Sequence, residues 1–177
     1  MTLKWQKLKK GKVCSMKYHN ITKVDMLNGD GIRVCLWVSG CSHACPECHN
    51  PITWNANCGL DFDENAKQEI FAELEKCYVA GLTLTGGDPL FKLNEETVTE
   101  LAKEVKVKYP NKTIWLYTGY TFEEIKEHEI LKYVDVLVDG KYVKELRDVN
   151  LHWKGSSNQR VINVPKTLCT KSIVLHD

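Results

Sequence analysis

The sequence predicts an α/β fold with a mostly parallel sheet. Between residues 61 and 138, helical periodicities alternate with short apolar runs, an order that places crossover helices between parallel strands. The chain has 177 residues, of which 43% are hydrophobic, and can bury one good core. We therefore expect a single domain over residues 16–177, preceded by a flexible basic arm at residues 1–15.

The first patterned segment alternates apolar and polar residues over positions 21–27. A strong turn follows at residues 28–31, and Ile32–Val38 is a second strand-like run. Together these segments predict two strands joined as a hairpin. Ser39 and Gly40 then lead the chain from the second strand into a cysteine-rich loop, the expected place for a binding site.

Two helices are predicted after this loop. Apolar residues recur at helical spacing over residues 63–78, and Asp61 with Glu64 suits the start of that helix. The second helix is predicted to begin at an Asn94 cap and to stop before Pro110.

Three more strands are predicted at residues 81–85, 113–117 and 133–138. Thr121 and Glu124 form a capping box for a short helix between the last two. These strand–helix units are too few for a closed eight-stranded barrel. The loops after parallel strands gather at one edge of the sheet, where the ligand sites of such folds lie.

Charge and composition argue against nucleic-acid binding and membrane association and indicate the cellular compartment. The formal net charge is +1, so no global field points to nucleic acid or acidic lipid. No apolar signal core opens the sequence, and no run approaches the length of a membrane span. Eight cysteines then fit a reducing cytoplasm with the clustered thiols bound to metal. The scattered cysteines are expected to be buried spectators, namely Cys14, Cys35, Cys58, Cys77 and Cys169.

Three clustered cysteines form a candidate metal site. Cys41, Cys45 and Cys48 are separated by three and then two residues. Thiolates select zinc, copper(I) or iron-sulfur clusters. A structural zinc site needs four protein ligands, and His43 or His49 could supply the fourth. A 4Fe-4S cluster held by three cysteines instead leaves one iron open to a substrate.

A second motif, Gly86-Gly87-Asp88-Pro89, directly follows the strand predicted at residues 81–85. Two glycines at a strand end allow the main chain to approach a ligand closely. As a lone motif, the same four residues would be an ordinary turn.

The two motifs together resemble those of the radical S-adenosylmethionine enzymes. Their CxxxCxxC spacing matches Cys41, Cys45 and Cys48, and their Gly-Gly-Glu-Pro is similar to the motif at residues 86–89. Glu47 is a departure, because many members have an aromatic residue there. The resemblance implies an open, partial (β/α) barrel and a 4Fe-4S cluster that binds S-adenosylmethionine at its open iron. It also implies one-electron cleavage of that cofactor to methionine and a 5′-deoxyadenosyl radical.

Further segments narrow the resemblance to the activating proteins of anaerobic ribonucleoside-triphosphate reductases. They are residues 29–31, 116–121, 135–142 and 155–160, together with Trp54. This resemblance implies hydrogen abstraction from one glycine of the large reductase subunit, which is the expected partner. It also implies a low-potential electron donor such as flavodoxin, with no nucleic acid and no membrane as partners.

The basic arm lies outside this resemblance, which begins near Tyr18. The arm carries five lysines and little periodic apolar content, a composition typical of a solvated tail. We hypothesise that Met16 is the true start or that the arm is dispensable.

The resemblance also implies roles for individual residues. Cys41, Cys45 and Cys48 are the expected cluster ligands. The residues expected to contact S-adenosylmethionine are Glu47, Cys48, His49, Gly86, Gly87, Asp88, Asp139 and Lys141. Residues 155–160 are expected either at the rim of the active site, which is the edge of the sheet where the loops after the parallel strands gather, or in partner docking. The alternatives are an activase of another glycyl-radical enzyme, another small radical S-adenosylmethionine enzyme and a non-enzymatic Cys3His zinc module.

Overall fold

The computed structural model describes residues 16–177 and confirms the α/β class. The predicted arm at residues 1–15 and Cys14 lie outside the described residues. The strands, numbered along the chain, are β1 (Lys17–Asp25), β2 (Ile32–Val38), β3 (Leu60–Asp61), β4 (Val79–Gly86), β5 (Thr113–Tyr117), β6 (Val136–Asp139) and β7 (Arg160–Asn163). The α-helices are α1 (Glu64–Leu74), α2 (Glu95–Lys108), α3 (Phe122–Ile125) and α4 (Val164–Thr170).

The prediction of a mostly parallel sheet is wrong, because the sheet is mixed. Within residues 16–177, seven strands follow the order β3-β1-β2-β4-β5-β6-β7. Three neighbouring pairs, from β2 through β4 and β5 to β6, are parallel. The other three pairs are antiparallel. A parallel pair needs a crossover that returns the chain to the same end of the sheet. β1 and β2 form a hairpin instead, and no α-helix separates β6 from β7.

Strands β2 and β5 have their predicted bounds, whereas β1 begins and ends earlier than predicted. It stops at Asp25 because that side chain starts the turn, accepting hydrogen bonds from the amides of Leu27 (2.9 Å) and Asn28 (2.8 Å). The hairpin itself is as predicted.

Helix α1 is shorter than the predicted range of 63–78, and its cap is Asp63 rather than Asp61. The Asp63 carboxylate accepts a hydrogen bond from the amide of Ala66 at 3.0 Å. Asp61 belongs to β3 and forms an ion pair with Lys17 at 2.8 Å. The predicted pairing of Asp61 with Glu64 as a helix start is therefore wrong.

The parallel block of β2, β4, β5 and β6 carries the main core. Alternate strand residues pack with apolar residues of α1 and α2, and they include Val34, Leu36, Leu82, Leu84, Ile114 and Leu116. A smaller cluster surrounds Trp115, and Trp153 packs edge-on against it with the ring centroids 5.2 Å apart. Among the described helices, none is long and apolar enough to cross a membrane.

The scattered cysteines only partly follow the prediction. Cys35 is buried within β2, as predicted. Cys58, Cys77 and Cys169 are exposed, so the expectation of buried spectators is wrong for these three. Apolar periodicity is a weak guide at their positions, because they lie in a loop or near the end of a helix.

Candidate functional site

The loops that follow β2, β4, β5 and β6 meet at one edge of the sheet, as predicted from the strand order. The amide of Asp88 donates to the carbonyl of Gly40 at 2.8 Å, which joins the loop after β4 to the end of β2. The amide of Gly140 donates to the carbonyl of Tyr120 at 2.9 Å, which joins the loops after β6 and β5. The candidate segments are therefore neighbours in space.

The three-cysteine loop, residues 41–48, is tied to Trp54 at its start and closed by a turn between Cys45 and Cys48 at its end. The amide of Cys41 donates to the carbonyl of Trp54 at 3.1 Å, and the amide of Cys48 donates to the carbonyl of Cys45 at 3.1 Å. Glu47 adopts a left-handed conformation with φ of 52°. These contacts turn the short loop tightly, and all three thiols remain partly accessible.

Two of the thiols are poor thiolates in the absence of a metal centre. Burial raises the pKa of Cys41, and the nearby carboxylate of Asp88 raises it further. Burial also raises the pKa of Cys45, with the neighbouring Cys48 adding to the effect. Because the thiolate is the form that binds metal, a positively charged centre is needed to hold these groups deprotonated.

A zinc site of the structural type would need a fourth protein ligand beside the three cysteines. Among residues 16–177, no three His, Cys, Asp or Glu side chains are grouped to hold one metal ion. His43, one candidate fourth zinc ligand, has its Nε2 atom 2.7 Å from the Asp88 carboxylate, and His49 is exposed. In a 4Fe-4S cluster each thiolate binds a different iron, so the three sulfurs need not converge on one point.

The indole nitrogen of Trp54 supports the fit of a sulfur-rich group. Nε1 is buried and has no hydrogen-bond acceptor among the described residues. Buried polar groups normally have a partner. The main-chain carbonyl of Trp54 accepts a hydrogen bond from the amide of Cys41, so Trp54 adjoins the start of the three-cysteine loop. Sulfur atoms of an iron-sulfur cluster accept such hydrogen bonds.

The two glycines of the Gly-Gly-Asp-Pro loop allow close packing of main chains. Gly86 has φ of +106°, and a Cβ atom there would lie 2.7 Å from the amide nitrogen of Val38. A Cβ atom on Gly87 would lie 2.5 Å from the carbonyl oxygen of Gly40. The glycines therefore bring this loop against the start of the three-cysteine loop. The sequence analysis expected these glycines to let the main chain approach a ligand, whereas here they allow it to approach another segment of the same chain.

Asn94 has a role that the sequence prediction missed. It occupies the predicted cap position of α2, but its side chain makes no capping hydrogen bond. Instead, its buried amide nitrogen donates to the carbonyls of Ser39 (2.8 Å) and Asp88 (3.0 Å). This side chain ties the two site loops together behind the edge of the sheet.

The same edge carries Asp139 at the end of β6, Lys141 just after that strand, and Arg160 at the start of β7. The buried Asp139 carboxylate contacts both the Arg160 guanidinium and the amide of Phe122, the latter at 2.7 Å. Lys141 is exposed, and its carbonyl accepts a hydrogen bond from the side chain of Asn158 at 2.9 Å. The structure thus places Asp139 and Lys141 at the rim, with the Asp139 side chain bound within the protein.

Gln159 organises the polar segment at residues 155–160. Its side-chain oxygen accepts from the amides of Gly155 (2.9 Å) and Ser156 (3.2 Å), and its nitrogen donates to the Gly140 carbonyl (2.9 Å). Nearby, Lys144 forms an exposed ion pair with Glu47. The segment between β6 and β7 therefore contacts the three-cysteine loop.

The comparisons with known proteins agree on one family. Residues 27–162 match the family described as the 4Fe-4S single cluster domain. The chain is similar to the anaerobic ribonucleoside-triphosphate reductase-activating protein of Enterobacteria phage T4, with 51% identity over 146 residues, which are 82% of this chain and 93% of the relative. The proteins of the same name from Haemophilus influenzae and Escherichia coli are 43% and 40% identical, over 148 and 150 residues. These matches cover 81% and 82% of this chain and 96% and 97% of the two relatives.

Proposed function

This chain belongs to the family of anaerobic ribonucleoside-triphosphate reductase-activating proteins, and from that premise we propose that it is the activase of such a reductase. The proposed reaction is reductive cleavage of S-adenosylmethionine, coupled to formation of a glycyl radical on the large reductase subunit. One observation carries this assignment. The three-cysteine loop and the Gly-Gly-Asp-Pro loop share one edge of the sheet, where the Asp88 amide donates to the Gly40 carbonyl.

Cys41, Cys45 and Cys48 are the ligands of one 4Fe-4S cluster in this proposal. When bound, the cluster supplies a low-potential electron and one iron without a protein ligand. Trp54 supports this choice, because its carbonyl accepts the amide of Cys41 and its buried indole nitrogen has no hydrogen-bond partner among the described residues.

The cofactor contacts come from both sides of the rim. Gly86, Gly87 and Asp88 present main-chain atoms to the methionyl amine. Glu47, Cys48 and His49 contact the cofactor from the three-cysteine loop. Asp139 and Lys141 lie beside it. Lys141 is exposed, so its ammonium group can face the methionyl carboxylate.

The large reductase subunit is the proposed lid of the site. Exposed apolar side chains lie on the two loops that frame the three cysteines, namely Ile52, Leu146 and Val149. Apolar groups exposed beside a site are typical of a partner interface. Docking of the glycine-bearing segment there would exclude water and oxygen while the radical forms.

Several broader features belong to the same proposal. The parallel block with its crossover helices is the open, partial (β/α) barrel of the radical S-adenosylmethionine type. Residues 16–177 form a single domain. The protein acts in the cytoplasm, with a flavodoxin-type electron donor and no nucleic-acid or membrane partner.

Electron paramagnetic resonance of the reductase tests this function. The anaerobic protein, reconstituted with iron and sulfide, is mixed with S-adenosylmethionine, a reductant and the large reductase subunit. A glycyl-radical signal on the subunit, absent with Cys41→Ala, is expected. If another glycyl-radical enzyme is activated and the reductase is not, the assignment of the partner is wrong.

A further inference from the structure

The carboxylate of Asp88 lies at the centre of the candidate site but points into the protein. Asp88 is 1% exposed. Oδ1 accepts a hydrogen bond from the amide of Leu90 at 2.8 Å, and Oδ2 accepts one from the amide of Gly119 at 3.0 Å. The hydroxyl of Thr118 lies 3.0 and 2.9 Å from the two oxygens, and Nε2 of His43 lies 2.7 Å from Oδ2.

These four donors occupy the hydrogen-bonding capacity of the group. An ionised carboxylate offers about four lone-pair sites on its two oxygens. The amides of Leu90 and Gly119, the Thr118 hydroxyl and the His43 ring fill them. The methionyl amine of a cofactor could bind this carboxylate only by displacing one of the four. The side chain of Asp88 is therefore placed to hold the protein together.

His43 is the only one of these donors that comes from the three-cysteine loop. It lies two residues from Cys41 and two residues from Cys45. Its side chain is 7% exposed, although the loop around it is partly accessible. Because a carboxylate only accepts hydrogen bonds, the hydrogen of the ring must be on Nε2.

The ring of His43 also fits closely against the loop after β5. It packs edge-on against Tyr120, with centroids 4.6 Å apart and planes at 72°. Gly119 leaves the space for it, since a Cβ atom there would lie 2.4 Å from Cδ2 and 2.6 Å from Nε2 of His43. Three separate loops thus meet at one imidazole.

We infer that His43 and Asp88 are positioning residues, whose hydrogen bond fixes the middle of the three-cysteine loop over the ends of β4 and β5. This inference rests on the proposed function, because the loop is taken to hold a 4Fe-4S cluster through Cys41, Cys45 and Cys48. The pair sets where the first two thiolates lie relative to the main chain of residues 86–88. Without it, the loop keeps its ligands but loses its anchor.

The rate of iron release to a chelator measures how firmly this hydrogen bond holds the loop, without any enzymatic turnover. The anaerobically reconstituted protein is compared with His43→Ala, His43→Gln and the control Asp63→Ala, which removes the α1 cap far from the site. Loss of a hydrogen bond to a charged group predicts roughly ten- to hundredfold faster iron release from His43→Ala. Gln can donate from a similar position, so His43→Gln is expected near the wild-type rate, as is Asp63→Ala.

The spectrum of the reduced cluster separates positioning from general stability. Addition of S-adenosylmethionine is expected to change the paramagnetic resonance signal of the wild type and of Asp63→Ala. In His43→Ala the change should be smaller or absent. If His43→Ala does not fold, Asp88→Asn takes its place. Where both single variants fold, combining the two changes should add little to either alone.

Two outcomes distinguish failure of the positioning role of His43 from failure of the proposed function. Iron release at the wild-type rate from folded His43→Ala, with an unchanged response to S-adenosylmethionine, would overturn the positioning role and leave the cluster assignment intact. A wild-type protein that assembles no 4Fe-4S cluster would instead refute the proposed function.

Discussion

Arg160 at the start of β7 holds the buried carboxylate of Asp139 at the end of β6. The guanidinium also forms two hydrogen bonds to Glu123, at 3.0 and 2.7 Å. These contacts join three consecutive parts of the rim. The Asp139 carboxylate additionally accepts a hydrogen bond from the amide of Phe122 at the start of α3.

Replacing Arg160 by Ala should destabilise the protein. Asp139 is 1% exposed and would lose its charged partner, whereas the Arg160 side chain is 33% exposed. We expect a loss of about 2–4 kcal/mol in the free energy of unfolding, somewhat less than for a fully buried pair. Urea unfolding measures it, with Arg160→Lys as the control, which keeps the charge without the fork of donors. A change within the error of the measurement would show that the pair is not a structural anchor.

The pH dependence of stability should reveal the Glu123 side of this network. Hydrogen bonds from Arg160 lower the pKa of Glu123 from about 4.5 to about 2. A lowered pKa in the folded state stabilises the protein above the unfolded pKa, and this contribution is lost as the pH falls towards 2.

We therefore expect Glu123→Gln to be less stable than the wild type at pH 6. The difference should shrink below about pH 4.5 and vanish near pH 2. Urea unfolding of both proteins across this range provides the test. A difference that stays constant with pH would mean that Arg160 does not stabilise the charged form of Glu123.

Asn94 should tolerate Asp poorly, although both residues are good helix caps. In this structure the Asn94 amide donates to two main-chain carbonyls. Asn94→Ala is expected to cost about 1–3 kcal/mol of unfolding free energy. Asn94→Asp should cost more, because its carboxylate would face the two carbonyl oxygens. Equal stability of Asn94→Asp and the wild type would show that the two hydrogen bonds donated by Asn94 do not stabilise the protein and that the residue acts only as a helix cap.

Gly119→Ala should destabilise the protein through its contact with His43. The added methyl group overlaps the imidazole, and overpacking of this kind costs about 1–3 kcal/mol. In a His43→Ala background the same change should cost less, because the three nearest atoms to the new Cβ all belong to His43. Denaturant unfolding of the four proteins gives the coupling free energy. A cost of Gly119→Ala that is independent of His43 would contradict the observed packing.

The sequence predicted those parts of the fold whose signal is local. Strands β2 and β5 and the alternation of strands with helices follow from apolar periodicity, which each segment carries within itself. Strands β3 and β7 were missed because two and four residues are too few for a period. Their pairing depends on distant partners, and the antiparallel pairs of β3 with β1 and of β7 with β6 add to the β1–β2 hairpin to make the sheet mixed.

Side-chain direction was the other property that the sequence could not reveal. Arg33 lies in an apolar strand and is fully buried, satisfied by contacts with Thr83, Thr113 and main-chain carbonyls. Asn94 lies at the predicted start of α2, and Asp88 lies in the loop after β4. Their side chains turn towards other loops of the protein, and only the tertiary arrangement shows this. The roles of the three cysteines and of the cofactor contacts stay predictions.

Quantifying 5′-deoxyadenosine shows whether the protein cleaves S-adenosylmethionine through a cluster held by the three cysteines. The protein is reconstituted anaerobically with iron and sulfide, reduced, and given S-adenosylmethionine, beside Cys45→Ala and the control Cys77→Ala, whose cysteine is exposed outside the loop. We expect 5′-deoxyadenosine from the wild type and from Cys77→Ala, and none from Cys45→Ala. Zinc bound in place of iron, with no 5′-deoxyadenosine formed, would contradict it and give the three-cysteine loop a structural role.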